Sequence, residues 1–190
     1  MTGFPNWFAG QQHNFEEHLA QFKGKSNLQF MQVGAFAGHA SKWLLDNVLT
    51  DPSSILIDID TWLGSDEKEH KAMNFSDVYE DYISRTSGYE NCYAMRGDSR
   101  ELMHTYEPDT FDFIYIDGDH NASAVLKDAE DAHKLIKNGG IIAFDDYLWH
   151  PETPLETRPQ PAIDEFLLKY ANKYKILTHS YQVWIQKNDN

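Results

Sequence analysis

Apolar runs of strand length alternate with segments of helical period along almost the whole chain, and this alternation predicts an α/β fold with a parallel sheet covered on both faces. Two further observations sharpen that expectation. The first strand-like run leads straight into a glycine-containing turn and a helix-like segment, VGAFAGHAS. Two later runs, FDFIYID and GGIIAFDD, end in carboxylates and enclose another helix-like segment. In an open α/β sheet the ligand crevice lies outside the carboxyl ends of the strands, so Asp117, Asp145 and Asp146 are directed toward a site.

The elements follow in order. Asn14, with Glu17 three residues on, predicts a capping box for a helix that places Phe15, Leu19 and Phe22 on one side. LQFMQVG is the first strand, and a helix carrying Trp43, Leu44 and Val48 closes at Asp51-Pro52. SSILIDID is the second strand. Residues 61–90 form a charged, aromatic excursion with a helix around FSDVYEDYI, suited to facing a substrate. NCYAMRG is a short third strand, RELMHTY a helix and FDFIYID the fourth strand. Ala122, Val125, Leu126, Ala129, Ala132 and Ile136 then recur at three and four residues, a helix that Asn138-Gly139-Gly140 should stop. IIAFDD is the fifth strand. A loop with four prolines follows, then a helix marked by Ile163, Phe166, Leu167 and Tyr170, and a closing hairpin of YKILTHSY and QVWIQK.

Composition bounds the function. The 190 residues suit a single domain, 1–190, with a helical N-terminal segment over 1–26. Thirty acidic residues against 16 basic ones give a net charge of −14, which repels phosphate backbones and argues against nucleic acid as partner. The single cysteine, Cys92, leaves no internal disulfide and fits a reducing compartment. The first residues hold neither a basic leader nor a long apolar run, so the expectation is a soluble cytoplasmic protein without a membrane span. Oligomeric state leaves no signature here.

Several residues carry candidate chemistry. Gly34 and Gly38 stand where the backbone must turn tightly beside a ligand, with Ala35 and Phe36 between. Phe36 fills the second glycine position of a dinucleotide fingerprint and would obstruct a pyrophosphate, which argues against NAD and leaves room for a less anionic adenosyl ligand. Asp58 and Asp60, two apart on the second strand, share one face; a carboxylate there can accept both ribose hydroxyls, and Asp60 lies nearer the strand end. Asp98 and Ser99 could bond an adenine edge or cap the following helix. Asp117, Asp145 and Asp146 converge three negative charges, a costly arrangement without a cation, and their hard oxygens suit Mg²⁺, Mn²⁺ or Ca²⁺. Asp119 and His120 follow the fourth strand as candidate bases.

With IDGDH, VLKDAE, GGIIAFDDYLW and AIDEFL in that order, the chain resembles class I S-adenosylmethionine-dependent methyltransferases, within them the branch called methyltransferase family 24. The resemblance implies a Rossmann-like, seven-stranded, mostly parallel sheet with its last strand reversed. It also implies S-adenosylmethionine on Gly34, Gly38, Asp60 and Asp98-Ser99, with the acceptor near Asp117 and Asp145-Asp146. Similar catechol and sugar O-methyltransferases hold Mg²⁺ with the matching carboxylates. This chain departs from the pattern in two places. Gln32 stands where the first strand usually offers an acid, and His120 replaces the lysine base of the catechol-type enzymes, while Asp119 matches the base of the sugar-modifying ones. The expected activity is methyl transfer to a small hydroxylated acceptor, sugar- or polyol-like. Two rivals stand beside it. One is a haloacid-dehalogenase-type phosphohydrolase, suggested by DIDTW; the other is a binding module that retains the adenosyl site without turnover.

Overall fold

The computed structural model describes residues 3–65 and 68–189; Asp66 and Glu67, within the expected excursion, lie outside the described residues. Seven strands, β1 (Gln29–Val33), β2 (Ile55–Asp60), β3 (Cys92–Arg96), β4 (Phe111–Ile116), β5 (Ile136–Phe144), β6 (Tyr174–His179) and β7 (Val183–Lys187), form one sheet. Their order is β3-β2-β1-β4-β5-β7-β6. The first five run parallel, and β7 is antiparallel to both neighbours, as the hairpin and the resemblance predict.

Alternation along the strands sends side chains to two cores. On one face Met31, Ile57, Ile114 and Ile142 pack with Val125 and Ala129 of α6 (Ala122–Leu135) and with Ile163 and Phe166 of α7 (Gln160–Lys169). On the other, Phe30, Leu56, Phe113 and Trp184 meet Phe15 of α1 (Gln12–His18) and Leu44 of α2 (His39–Asn47). Burying a large apolar side chain is worth about 1.5–3 kcal/mol, so a helix layer on each face is the arrangement these strands demand. The remaining helices are the one-turn α3 (Lys68–Lys71), α4 (Phe75–Thr86) and the one-turn α5 (Ser99–Leu102).

Two local expectations are corrected. Asn14 does not cap α1: it is buried inside the helix and its Nδ2 donates to Gln182 Oε1 at 2.9 Å, so a long-range bond replaces the local one. The helix predicted through Ile136 stops at Leu135, because Ile136 already pairs with Phe111 as the first residue of β5. Asn138-Gly139-Gly140 then lies inside that strand, where the register shifts between Phe111 and Phe113 and Gly139 takes φ +75°.

Strand order reverses between β1 and β4, and the crevice at that switch point is where a ligand belongs. The two strand ends are in direct contact there. Asp117 N donates to Val33 O at 2.8 Å, and Gly34, at φ +87°, has no room for a side chain, since a Cβ would fall 1.8 Å from the carbonyl oxygen of Asp117. Gly34→Ala should therefore destabilise the fold by at least about 2 kcal/mol, read from urea unfolding. A change of a few tenths would show that the β1 turn can move away from β4.

Candidate active site

The carboxyl ends of β1, β2, β3 and β4 wall a cavity of about 650 Å³. Gly34 and Phe36 come from the β1 turn, Asp60 from β2, Asp98 to Arg100 from the start of α5, and Asp117 to Asn121 from the segment after β4. Asp60 is fixed by main chain: Oδ2 accepts the Phe36 N–H at 2.8 Å and Oδ1 the Trp62 N–H at 2.7 Å. Burial pushes its carboxyl above the usual range, and those N–H donors act in the opposite sense. The Ala35 N–H acts in the same sense, and the lone pair these donors leave can accept a ligand hydroxyl.

At the far side Asp98 caps α5, accepting the Arg100 N–H at 2.9 Å, and its side chain also pairs with the Arg100 guanidinium, which holds its carboxyl below the ordinary value. Ser99 Oγ donates to Asp128 Oδ1 at 2.7 Å. Asp128, within the VLKDAE stretch, is a cavity residue that sequence reasoning missed; burial pushes its pKa up to about 6. The aromatic wall was missed as well. Phe36 stacks between Trp7 (centroids 4.7 Å apart) and His70 (6.0 Å), and Phe75 closes on His70 at 5.1 Å.

Not every expected residue reaches the cavity. Ala35 is buried in the small core beneath the turn, and Gly38 is tied to packing, its would-be Cβ lying 2.9 Å from Tyr82 Cδ2. Asp58 is fully buried, with Oδ2 accepting from Tyr82 Oη at 2.9 Å, and does not line the cavity. Trp62 is buried and donates Nε1 to Phe36 O at 2.9 Å. Thr61, Leu63, Gly64, Ser65, His70 and Phe75 of the excursion line the first cavity.

A second cavity of about 370 Å³ adjoins the first and shares Trp7 and Asp117 with it. Its walls include Phe8, Trp149 and Tyr181, with Asp145 and Asp146 at its base. The two adjacent carboxylates face different partners. Asp145 Oδ2 accepts from Tyr115 Oη and from Gln182 Nε2 (3.0 Å), and Oδ1 accepts the Asp146 N–H (2.8 Å); burial, with Asp146 beside it, raises its pKa. Asp146, at φ +58°, receives the Tyr181 hydroxyl on Oδ1 at 2.6 Å and sets Oδ2 3.0 Å from His120 Nε2. One ligand atom each from Asp117, His120 and Asp146 lies within 4.8 Å of the others. Asp119 accepts the Asn121 N–H at 3.0 Å, a local turn at the start of α6, and lines the first cavity.

Comparison with known proteins agrees with this geometry. Residues 31–147, from β1 to the turn after β5, match the model of a methyltransferase domain, methyltransferase family 24. The chain belongs to this family. It is an S-adenosylmethionine-dependent methyltransferase of class I. An uncharacterized protein of Acanthamoeba polyphaga mimivirus is 26% identical over 164 residues, covering 83% of this chain and 68% of that protein. The fold is similar to that of the O-methyltransferase NovP (TM-score 0.68, 16% identity, 94% of this chain and 80% of the other). It is likewise similar to an O-methyltransferase from Bacillus cereus solved with S-adenosylhomocysteine (TM-score 0.64, 17% identity, 98% and 84%).

In this methyltransferase the DIDTW segment lies on β2, behind the glycine-turn unit, so the phosphohydrolase rival does not hold. Gln32 also has its explanation. Its Nε2 donates to Gly34 O at 3.0 Å, and its Oε1 faces Ser41 Oγ at 3.3 Å; an acid in that place could not make the first bond.

Asp58 makes the stability of this methyltransferase depend on pH. Its pKa is raised to about 6 by burial, above the value near 3.9 of an unfolded carboxyl, so the folded state binds the extra proton between those limits. The stability Asp58 confers is complete below about pH 4 and declines as pH rises through 6. Asp58→Asn, which keeps an acceptor for Tyr82, should remove that decline. The variant should gain on the wild type by on the order of 1–3 kcal/mol between pH 4 and 7, measured by denaturant titration at each pH. Parallel pH profiles would show that Asp58 stays ionised in the fold.

Proposed function

We propose that the chain transfers a methyl group from S-adenosylmethionine to a hydroxyl oxygen of a small, uncharged acceptor such as a sugar or polyol. One observation carries the reading: a cavity with adenosyl-type polar groups and a second, aromatic-walled cavity meet at Asp117. A volume of about 650 Å³ falls within the range of ligand-binding clefts. Asp60, oriented by two main-chain donors, is the acceptor for the ribose hydroxyls, and the Asp98-Ser99 end receives the adenine. Phe36 beside Gly34 leaves no place for a pyrophosphate.

The second cavity points to the acceptor. Among its described lining residues none is lysine or arginine, and Asp145, Asp146 and Glu69 disfavour a phosphorylated or carboxylated acceptor. Trp7, Phe8, Trp149 and Tyr181 offer flat apolar surfaces with polar edges, which suit the faces of a sugar ring. The O-methyltransferase neighbours support oxygen as the methylated atom.

Oxygen and nitrogen donors gathered at Asp117, His120 and Asp146 fit a divalent cation. Bound there, such an ion would lower the pKa of the acceptor hydroxyl and hold it in place. The chain's own residues do the remainder. Asp119, which lines the first cavity two residues from Asp117, takes the hydroxyl proton; Trp7 spans both cavities; the β1 turn fixes the cofactor end against Asp117.

Calorimetry tests the cofactor site: S-adenosylhomocysteine should bind and NAD should not, and Asp60→Ala should weaken binding by about 1–3 kcal/mol, the cost of leaving ribose hydroxyls unpaired. Absence of binding to the folded protein would contradict the reading. For the base, Asp119→Asn should lower kcat by about 10²–10⁴ at unchanged S-adenosylhomocysteine affinity. Full turnover in that variant would move the proton transfer elsewhere.

A further inference from the structure

We infer that the cation of this site is held by Asp117, His120 and Asp146, with the imidazole of His120 in the place expected of the Asp145 carboxylate, and that the site therefore favours the later transition metals over Mg²⁺. The inference rests on the proposed cation and goes beyond it by taking Asp145 out of the ligand set and by naming the metal class.

Two independent observations carry it. The first is where Asp145 points. Its oxygens take donors from Tyr115, from Gln182 and from the Asp146 main chain. Gln182 cannot turn away, because its Oε1 already accepts Asn14 Nδ2 (2.9 Å) and Trp184 Nε1 (2.8 Å), which leaves Nε2 to face Asp145. Gln182 is fully buried, and its Nε2 would lose the Asp145 acceptor if that carboxylate turned to a metal. Leaving such buried groups unpaired is costly.

The second observation is where His120 points. Its Nε2 lies 3.0 Å from Asp146 Oδ2, and both side chains are mostly buried. Two ligands on neighbouring vertices of an octahedron with bonds of about 2.1 Å stand about 3.0 Å apart, so these atoms need little movement to share an ion. The ring is steadied by Trp149, whose centroid is 4.6 Å away. Imidazole nitrogen suits Fe, Ni, Cu and Zn, whereas Mg²⁺, Ca²⁺ and Mn²⁺ prefer oxygen and water, so exchanging a carboxylate for a histidine shifts the site away from Mg²⁺ and toward the later transition metals. It also gives His120 a task other than base, consistent with Asp119 in that role.

Electron spin-echo spectroscopy of the full chain loaded with Mn²⁺ reads this directly. A single ¹⁴N coupling of a directly bound imidazole is expected, absent in His120→Ala, with Mn²⁺ affinity falling at least about 10-fold in that variant while Asp145→Asn stays within about 3-fold of the wild type. Wild-type affinity for Ni²⁺ or Zn²⁺ should exceed that for Mg²⁺ by about 10-fold or more, and His120→Asp should narrow the ratio. Thermal melts of each variant establish that it is folded, and His120→Gln provides a second replacement should His120→Ala fail to fold. Mn²⁺ bound without nitrogen coupling, and lost in Asp145→Asn, would overturn the ligand set while leaving a cation-assisted reaction intact. No Mn²⁺ binding to folded wild type would overturn it too, making His120–Asp146 an ion pair, and S-adenosylhomocysteine binding would then decide separately whether the methyltransferase cavity stands.

Discussion

The contact between the turn after β1 and the end of β4 is the constraint on which the site depends. Asp117 N donates to Val33 O, Gly34 N donates to Ile59 O, and the Asp117 carbonyl occupies the space a side chain at Gly34 would fill. One glycine thus closes β1 against β4 at the point where the sheet order reverses. Everything chemical hangs on that closure. It sets Phe36 next to Asp60, aims Asp117 into both cavities, and fixes the height at which the Asp119-His120 segment leaves the sheet.

The electrostatics around that junction are divided among carboxylates with separate duties. Asp58 and Asp128 are buried with raised pKa values and satisfy hydroxyls, of Tyr82 and Ser99 respectively. Asp60 is held by main-chain donors and Asp98 by Arg100. Asp145 is tied into the sheet by Tyr115 and Gln182, while Asp146, turned by its left-handed backbone, faces His120. Negative charge is therefore concentrated along the second cavity, where neither lysine nor arginine is found among the described lining residues. Such a site disfavours anions, in keeping with the cation and the uncharged acceptor proposed for it.

Much of this was legible in the chain because parallel strands buried on both faces read as continuous apolar runs, and their polar ends mark the crevice. FDFIYID and IIAFDD needed no partner to be recognised. What failed were features settled over long distances. Asn14 carries a local capping pattern, yet its partner, Gln182, is 168 residues away. The helical spacing of 122–136 ran one residue into β5, because Ile136 is apolar in either element and pairing with Phe111 decides the matter. The direction of adjacent carboxylates is equally invisible to spacing: Asp145 and Asp146 read alike until Tyr115, Gln182 and a φ of +58° separate them. Trp7, His70 and Asp128 enter the cavity from elements far apart in sequence, and only packing reveals their use.

The account's central claim is that the two cavities are the two halves of one methyl-transfer site joined at Asp117. A crystal structure with S-adenosylhomocysteine bound tests it most directly. The account predicts ribose hydroxyls on Asp60, adenine toward Asp98 and Ser99, and the sulfur near Asp117 with its open side facing the second cavity. A ligand seated elsewhere, or with its sulfur turned away from the cavity walled by Trp149 and Tyr181, would contradict it.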